Sequence, residues 1–568
     1  MNKETASGFE TSRGYANMSS EPNARLARFK NPILPGFYPD PSVCRVGDDF
    51  YLVTSTFAYF PGVPIFHSRD LVNWTQIGNV LTRPSQLRLE NTEVSQGIFA
   101  PTIRYNDGIF YMITTNVSGG GNFFVTATDP AGEWSEPFFL EGADGIDPSL
   151  YFEDGKCWYH GTRQLENGAY YGDNEIYLQE LDLTTKKLIG ERHTIWHCAV
   201  KNAVWPEGPH IYKKDGWYYL LISEGGTGHE HAITVARSRT LTDYYIGNKC
   251  NPILTHRHLG RDYPIVNVGH GDLVQTPIGE WWMVLLASRP YGGHYRNLGR
   301  ETFLVPVSWE DEWPVVNYGV GVLREVEVMP RLAEDLGGDA PKPPQGSEAP
   351  LTPSFDFGTI SEMPFCFMYL RNPVFGDYLL GSGGLRMRLN KNALTELGSV
   401  SFLCYRQQHK SFEACVGLVF SPVSENEVAG LVLFQNRKYN YQFVVTVADG
   451  KKVLRVIKCE NERLEILAEA SLNQTATVDS LIYAGLNHTA TATSPVYVKF
   501  MAREQVVGFS YSMDGEKFVS VFENATAKFL NTDSAGGFVG NTIGMYASAN
   551  GAESENVATF TGFTYNEI

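Results

Sequence analysis

Asp49-Phe50-Tyr51-Leu52-Val53-Thr54-Ser55-Thr56 is a turn residue, an aromatic pair and a run of apolar and β-branched residues. The same order returns at 109–115 (IFYMITT), 217–223 (WYYLLIS) and 281–288 (WWMVLLAS), and a further aromatic pair stands at Trp158-Tyr159. Short runs of this composition, each following a turn, read as buried strands. The second aromatics of the five pairs, Tyr51, Tyr111, Tyr159, Tyr219 and Trp282, lie 60, 48, 60 and 63 residues apart. A unit of roughly 50–60 residues holding several short strands is the sequence pattern of a β-propeller, here with five blades.

Eleven or twelve residues ahead of each second aromatic lies one position that equivalent blades bring to a common axis: Asp40, Ala100, Asp147, Glu207 and His270. Asp40 is framed by prolines (Tyr38-Pro39-Asp40-Pro41-Ser42), and Asp147 has nearly the same frame in Ile146-Asp147-Pro148-Ser149. Glu207 sits in Trp205-Pro206-Glu207-Gly208-Pro209. Prolines on both sides restrict the backbone and fix how a side chain is presented. A single Asp before Pro reads as an ordinary turn residue. Independent turn residues, however, have no reason to share one register in three blades. Carboxylates gathered on an axis push one another's proton affinities apart, so one site can hold an acid and a base at the same pH. Hydrolysis of a glycosidic bond needs that pair, about 6.5–9.5 Å apart for inversion and about 5–5.5 Å for retention. Blades facing across a channel suit the wider gap, so inversion is the expectation.

The rest of the chain sets limits on this reading. Its 568 residues are too many for one ordinary domain. A net charge of −17 argues against nucleic acid as a partner, because phosphate contacts need a basic surface. The eight cysteines are scattered without C-x-x-C spacing, which favours reduced thiols over a zinc site. No run of about 18 apolar residues exists to span a membrane, and the polar first 30 residues contain no signal-like apolar stretch, so a cytoplasmic protein is the default expectation. Asn-Pro-Ile-Leu occurs at both Asn31 and Asn251, consistent with entry into two blades. The boundaries read as a flexible tail over 1–29, the propeller over 30–335, a Pro/Gly-rich linker over 336–350, and a second all-β domain over 351–568. In that last domain LRMRL, AGLVLFQN, YQFVVTVA and VYVKFMA recur at the spacing of an antiparallel sandwich.

The chain resembles glycoside hydrolase family 43, in its β-xylosidase and α-L-arabinofuranosidase branch. The resemblance rests on NPILPGFYPDPS, STFAYFPGVPIFHSRDLVNW, GIFAPTI, GIDPSL, WPEGPH, GHGDLV and LGRETF, and extends into the second domain through Tyr405-Arg406-Gln407-Gln408-His409. It implies an all-β protein, a five-bladed propeller followed by a concanavalin-like β-sandwich. By the same resemblance Asp40 is the general base, Glu207 the general acid and Asp147 the residue that tunes and orients that acid. Arg300 matches the family's substrate-contacting arginine, and Arg289 is a second candidate. Phe57 and Phe99 are candidates for the walls of a sugar pocket. The Gly536-Gly537-Phe538 loop is the candidate through which the second domain lends a residue, Phe538. His270 is read as ordering the site, holding a central water, binding a structural calcium, or serving as a hydrogen-bonded core imidazole. The stretch 224–231 (EGGTGHEH) is either a loop at the rim or a solvated turn.

Two departures bear on the sugar. Phe99 stands where the resembled β-xylosidases tend to have Trp, and Ala58-Tyr59 where they tend to have Glu-Trp. The implied activity is exo-acting, inverting removal of β-D-xylose or α-L-arabinofuranose from a small oligosaccharide, with no cofactor required. An endo-acting arabinanase of the same fold and a carbohydrate-binding propeller without catalysis are the alternatives, and a homo-oligomer is compatible with the sequence.

Overall fold

The computed structural model describes residues 27–331, 353–472 and 494–568. The expected linker over 336–350 and most of the expected tail lie outside these residues. Arg28 and Phe29, assigned to the tail from sequence, already belong to a strand, Arg28–Lys30, paired antiparallel with Val326–Val328.

Each aromatic pair falls in the second strand of a four-stranded antiparallel blade, and there are five blades. Their second strands are Asp49–Val53, Ile109–Asn116, Lys156–Gln164, Trp217–Glu224 and Trp281–Ser288. Successive side chains of a strand point to opposite faces. In this ring both faces of a blade are covered by neighbouring blades, so both must be apolar. Leu220 packs with Ile176 and Leu178 of the third blade, whereas adjacent Leu221 packs with Met283 and Leu285 of the fifth. Val284 in turn faces Phe50 and Leu52 of the first blade. Five interblade cores of this kind explain why the strands read as continuous apolar runs rather than as alternating ones.

The two Asn-Pro-Ile-Leu copies do equivalent work. The Asn31 amide donates to Leu304 O (2.9 Å) and accepts from Leu304 N–H (3.0 Å). The Asn251 amide donates to Val235 O (2.8 Å) and accepts from Val235 N–H (2.9 Å). Each asparagine thus imitates a peptide group against the third strand of a blade, the fifth and the fourth respectively.

Beneath the pocket the axis is closed by Asp272, fully buried on the first strand of blade five. Its carboxylate accepts from the Ser42 hydroxyl (2.7 Å) and Val43 N–H (3.1 Å) of blade one, from Arg104 of blade two (2.8 and 3.2 Å), and from the Tyr212 hydroxyl of blade four. Arg104 also bonds His210 (2.9 Å), which Ser149 of blade three reaches at 3.2 Å. All five blades therefore meet in one polar knot.

The C-terminal residues form the expected sandwich, two sheets facing each other across a core that includes Leu431, Phe443 and Met545 on one side and Val416, Phe500 and Phe560 on the other. One sheet does not end within the domain. Its last strand is Tyr59–Phe60 of the propeller, paired with Met368–Leu370. Phe37, Phe57 and Tyr59 share a core with Phe402, Val432 and Tyr546, so the two domains are packed together by apolar burial. Arg406 of the sandwich, 2% exposed, lies over the Tyr38 ring and donates to Phe37 O (2.9 Å). Gly299 and Gly540 bring backbone against backbone: a Cβ at Gly299 would stand 2.7 Å from Gly540 N, and its φ of +73° is one that glycine adopts freely.

Removing one member of a buried ion pair strands the other. Asp272→Ala is therefore expected to cost the propeller about 3 kcal/mol or more, read as a lower denaturation midpoint. A midpoint equal to that of the unaltered protein would show that the knot is not a stabilising element.

Candidate active site

The first strands of blades three to five are not regular where they approach the axis. Pairing shifts register between Ile146 and Ser149, between Glu207 and His210, and on both sides of Gly269. Bulges of this type re-aim side chains. Asp40, Asp147 and His270 all have left-handed backbones, with φ of 55°, 53° and 50°. Such conformations cost non-glycine residues on the order of 1–3 kcal/mol each and gather at functional sites. Here they occupy the same position in three blades and turn three polar side chains into one channel.

The three carboxyls are buried together but furnished differently. Asp40 accepts from Arg300 Nη1 at 2.8 Å and from the Ser55 hydroxyl at 2.6 Å, with His270 Nδ1 3.8 Å away. Burial alone would raise its pKa, but Arg300, His270 and the Ser55 hydroxyl outweigh burial and hold the carboxyl below its ordinary value. Asp147 has one donor, the Gly208 N–H at 3.1 Å. Burial, reinforced by the Asp40 charge and only partly offset by His270, pushes Asp147 up to about 6. Glu207 has no hydrogen-bond donor on its carboxyl among the described residues. Burial first, then the charges of Asp147 and Asp40, raise it well above the usual carboxylate range. One buried cluster thus holds the Asp40 carboxyl low and the Glu207 carboxyl high.

The pocket wall is aromatic. Phe57 and Phe538 stack with centroids 6.0 Å apart, and Phe99 stands edge-on to both at 5.7 and 5.9 Å. Phe538 comes from the sandwich. Its N–H donates to Ser95 Oγ of the propeller (2.8 Å), and a side chain at neighbouring Gly537 would collide with Ser95. Arg300 lies 5.7 Å from the Phe57 ring and 5.6 Å from the Phe538 ring while bonding Asp40 and the Thr227 hydroxyl (3.1 Å). At Thr227, Arg300 and Phe538 the pocket adjoins a wider cavity of about 420 Å³, bordered by Trp205, Arg261 and Arg296.

Of the residues anticipated from sequence, the pocket brings together Asp40, Asp147, Glu207, His270, Arg300, Phe57, Phe99 and Phe538. Arg289 is not among them. Its guanidinium is spent on buried Glu301 in two bonds of 2.7 Å and leans on Gln408 O of the sandwich. Ala58 and Tyr59, fully buried, lie at the domain junction rather than on the pocket wall. Of the two departures, Phe99 is thus the one that lines the pocket. Sequence reasoning missed Ser55, which only the fold carries to Asp40, and Ser95. The stretch 224–231 does reach the rim, through Thr227.

Calcium takes six to eight oxygen ligands. Around the His270 imidazole stand the Asp40 carboxylate, already paired with Arg300, the Asp147 carboxyl, and the backbone of Gly208. No group of three or more His, Cys, Asp or Glu side chains among the described residues is arranged to hold a metal. The donors present do not fit a calcium cage.

A five-bladed ring with three buried carboxyls of unequal proton affinity at its axis, joined to a sandwich, is the architecture of a glycoside hydrolase. Residues 29–314 match the glycosyl hydrolases family 43, and residues 354–566 match the beta xylosidase C-terminal concanavalin A-like domain. The chain belongs to glycoside hydrolase family 43. It is 48% identical to a xylosidase/arabinosidase of Butyrivibrio fibrisolvens over 95% of its own length and 99% of the relative's. It is 36% identical to a non-reducing end alpha-L-arabinofuranosidase of Bacteroides ovatus, covering 96% of each. Among solved structures, a xylan beta-1,4-xylosidase from Bacillus halodurans superposes with a TM-score of 0.81 at 32% identity, covering 95% of this chain and 100% of that one.

Replacing Arg300 by Met removes the positive charge that offsets burial at Asp40. The Asp40 pKa then rises, and the acidic limb of the kcat/KM profile is expected to move to higher pH by about one unit or more. An acidic limb that stays in place would show that Arg300 does not set the ionisation of Asp40.

Proposed function

We propose that this exo-acting glycoside hydrolase removes a terminal β-D-xylose or α-L-arabinofuranose from short oligosaccharides with inversion at the anomeric carbon. The observation that carries the reading is the split in proton affinity between Asp40, held low, and Glu207, held high, within one buried cluster. Asp40 takes a proton from the attacking water as its oxygen bonds to the anomeric carbon. Glu207 gives its proton to the departing glycosidic oxygen as the C–O bond breaks. Asp147 acts on Glu207 through charge, since among the described residues the hydrogen bond it accepts comes from Gly208 N–H and none joins it to Glu207.

The wall formed by Phe57, Phe99 and Phe538 supports a pocket for one terminal sugar rather than an open groove. The wider cavity beside it suits the leaving group. Both sugars are retained because the Butyrivibrio fibrisolvens relative carries both in its name, and pentose discrimination within such a pocket is worth only about 1–3 kcal/mol.

The decisive assay compares the unaltered protein with Glu207→Ala and Asp40→Asn on an alkyl β-D-xylopyranoside and an alkyl α-L-arabinofuranoside, whose leaving oxygens need a proton, while NMR follows the first-formed anomer. Each variant is expected to lose about 10²–10⁴-fold in kcat/KM, as removal of a general acid or base does, and a β-xyloside is expected to release α-xylose first. Release of β-xylose first would overturn inversion, and a fully active Glu207→Ala would remove it as the acid. Because the proposed steps use the chain's own carboxyls, exhaustive dialysis against a chelator is expected to leave kcat unchanged. Activity lost on dialysis and restored by Ca²⁺ would reinstate the calcium near His270.

A further inference from the structure

His231 takes no part in the reaction as described, yet it is among the most confined side chains in the molecule. It is 1% exposed and enters from the end of the glycine-rich loop, one residue before the third strand of blade four, Ala232–Ser238. Its ring lies flat on Gly269 of blade five, where any Cβ would collide with three ring atoms. Nδ1 stands 3.1 Å from the backbone carbonyl of Asn267. A carbonyl only accepts, so Nδ1 carries the hydrogen, and Nε2 of the neutral ring is a bare lone pair. That Nε2 is buried without a hydrogen-bond partner and lies 3.9 Å from Glu207 Oε1.

We propose that His231 is a positioning residue for the acid: its fixed tautomer directs the Nε2 lone pair at Glu207, disfavouring the carboxylate and keeping the carboxyl protonated. The inference rests on Glu207 being the acid. A lone pair facing a carboxylate oxygen is repelled, whereas the same lone pair facing a carboxylic acid is not. The negative end of the imidazole dipole thus adds to the charges of Asp147 and Asp40. Across the channel the other groups facing the pair are His270 and Arg300, and Arg300 acts in the opposite sense. For this to work the ring must stay neutral, and burial supports that, pushing His231 down to about 3. The unpartnered Nε2, otherwise a pure cost in a buried site, acquires a reason.

Two substitutions separate this role from a structural one. In His231→Asn the amide nitrogen takes the place of Nδ1 and keeps the Asn267 bond, but nothing occupies the Nε2 position. In His231→Gln the amide oxygen reaches the Nε2 position, and the Asn267 bond is given up. The proposal expects the Asn variant to shift the alkaline limb of kcat/KM to lower pH by about half a unit to one unit. It also expects a larger loss on xylobiose, whose leaving oxygen needs the proton, than on p-nitrophenyl xyloside, whose leaving group does not. The Gln variant should hold the alkaline limb near that of the unaltered protein. A purely structural histidine predicts the reverse order, with Asn mild and Gln damaging, and that result would overturn the proposal.

Should either variant fail to fold, ¹⁵N NMR of the unaltered protein decides. His231 must show a protonated Nδ1 and a bare Nε2 across the active pH range, and a hydrogen on Nε2 overturns the assignment. Glu207→Gln measured on the same two substrates keeps the two readings apart. If it cleaves xylobiose normally, the acid assignment itself falls. If it fails on xylobiose while His231→Asn retains the native alkaline limb, only the role of His231 falls.

Discussion

A buried carboxylate in the middle of a five-bladed ring has to be satisfied by whichever strands pass it, and at Asp272 the donors come from three other blades. The fourth is tied in through Ser149 and His210. This knot and the reaction site are set by one register. Ser42, Ser149 and Asp272 each lie two residues after an axis residue of the pocket (Asp40, Asp147 and His270), and His210 lies three after Glu207. The first strand of a blade therefore presents one polar side chain up into the pocket and the next one down into the knot. Holding the lower set fixed fixes the upper set, because a strand cannot slide without breaking both. Burying so much charge is tolerable only because each member has partners, and the Arg104–Asp272 pairing with two bonds is the strong form of such contacts.

The pocket above lacks that balance. It gathers three carboxyls around one arginine, and the arginine bonds one of them. Among the described residues Arg300 and Ser55 both serve Asp40, Asp147 has a single backbone donor, and Glu207 has none. The result is a graded series of proton affinities within one buried cluster. Each unit of separation corresponds to about 1.4 kcal/mol of unequal solvation and pairing. Left-handed backbones at Asp40, Asp147 and His270 are a further cost in the same place. Stability is thus gathered in the knot and in the interblade cores, and is given up where three carboxyls of unequal proton affinity share one cavity.

The blades were legible because both faces of every strand are buried, which stamps the same apolar run and aromatic pair on five segments. The axis residues were legible because the blade register repeats. What escaped the sequence is what the register does not carry. Arg289 and Arg300 are alike as letters, eleven residues apart. Only the packing shows that Glu301, also reached by Gly36 N–H, claims the first and leaves the second to Asp40. Ala58 and Tyr59 follow Phe57 directly, yet the chain turns there and carries them out of the pocket into the sheet of the sandwich. Ser55 and His231 act on residues 15 and 24 positions away, in surroundings that no local pattern announces. Phe538 was named from its glycine-rich loop, but the contact with Ser95, 443 residues earlier, that fixes its position was not.

That contact bears on why two domains make one enzyme. The sandwich is joined to the propeller by a shared sheet, a shared apolar core and a buried arginine, and each lies close to the chemistry. Tyr59–Phe60 continues from the Phe57 wall. Arg406 grips Phe37 and Tyr38, which lead directly into Asp40. Gly540 presses on Gly299, the residue before Arg300, and Asn541 N–H bonds Asn297 O at 2.8 Å in the same loop. Asp40 and the arginine that pairs with it therefore both stand on segments braced from outside the propeller. Phe538 then covers the pocket with a ring that the propeller does not supply. A domain that only tethered the enzyme to a polymer would have no need to touch these segments. A domain that shapes the pocket and holds Asp40 in place has to touch all of them, and the sandwich touches each.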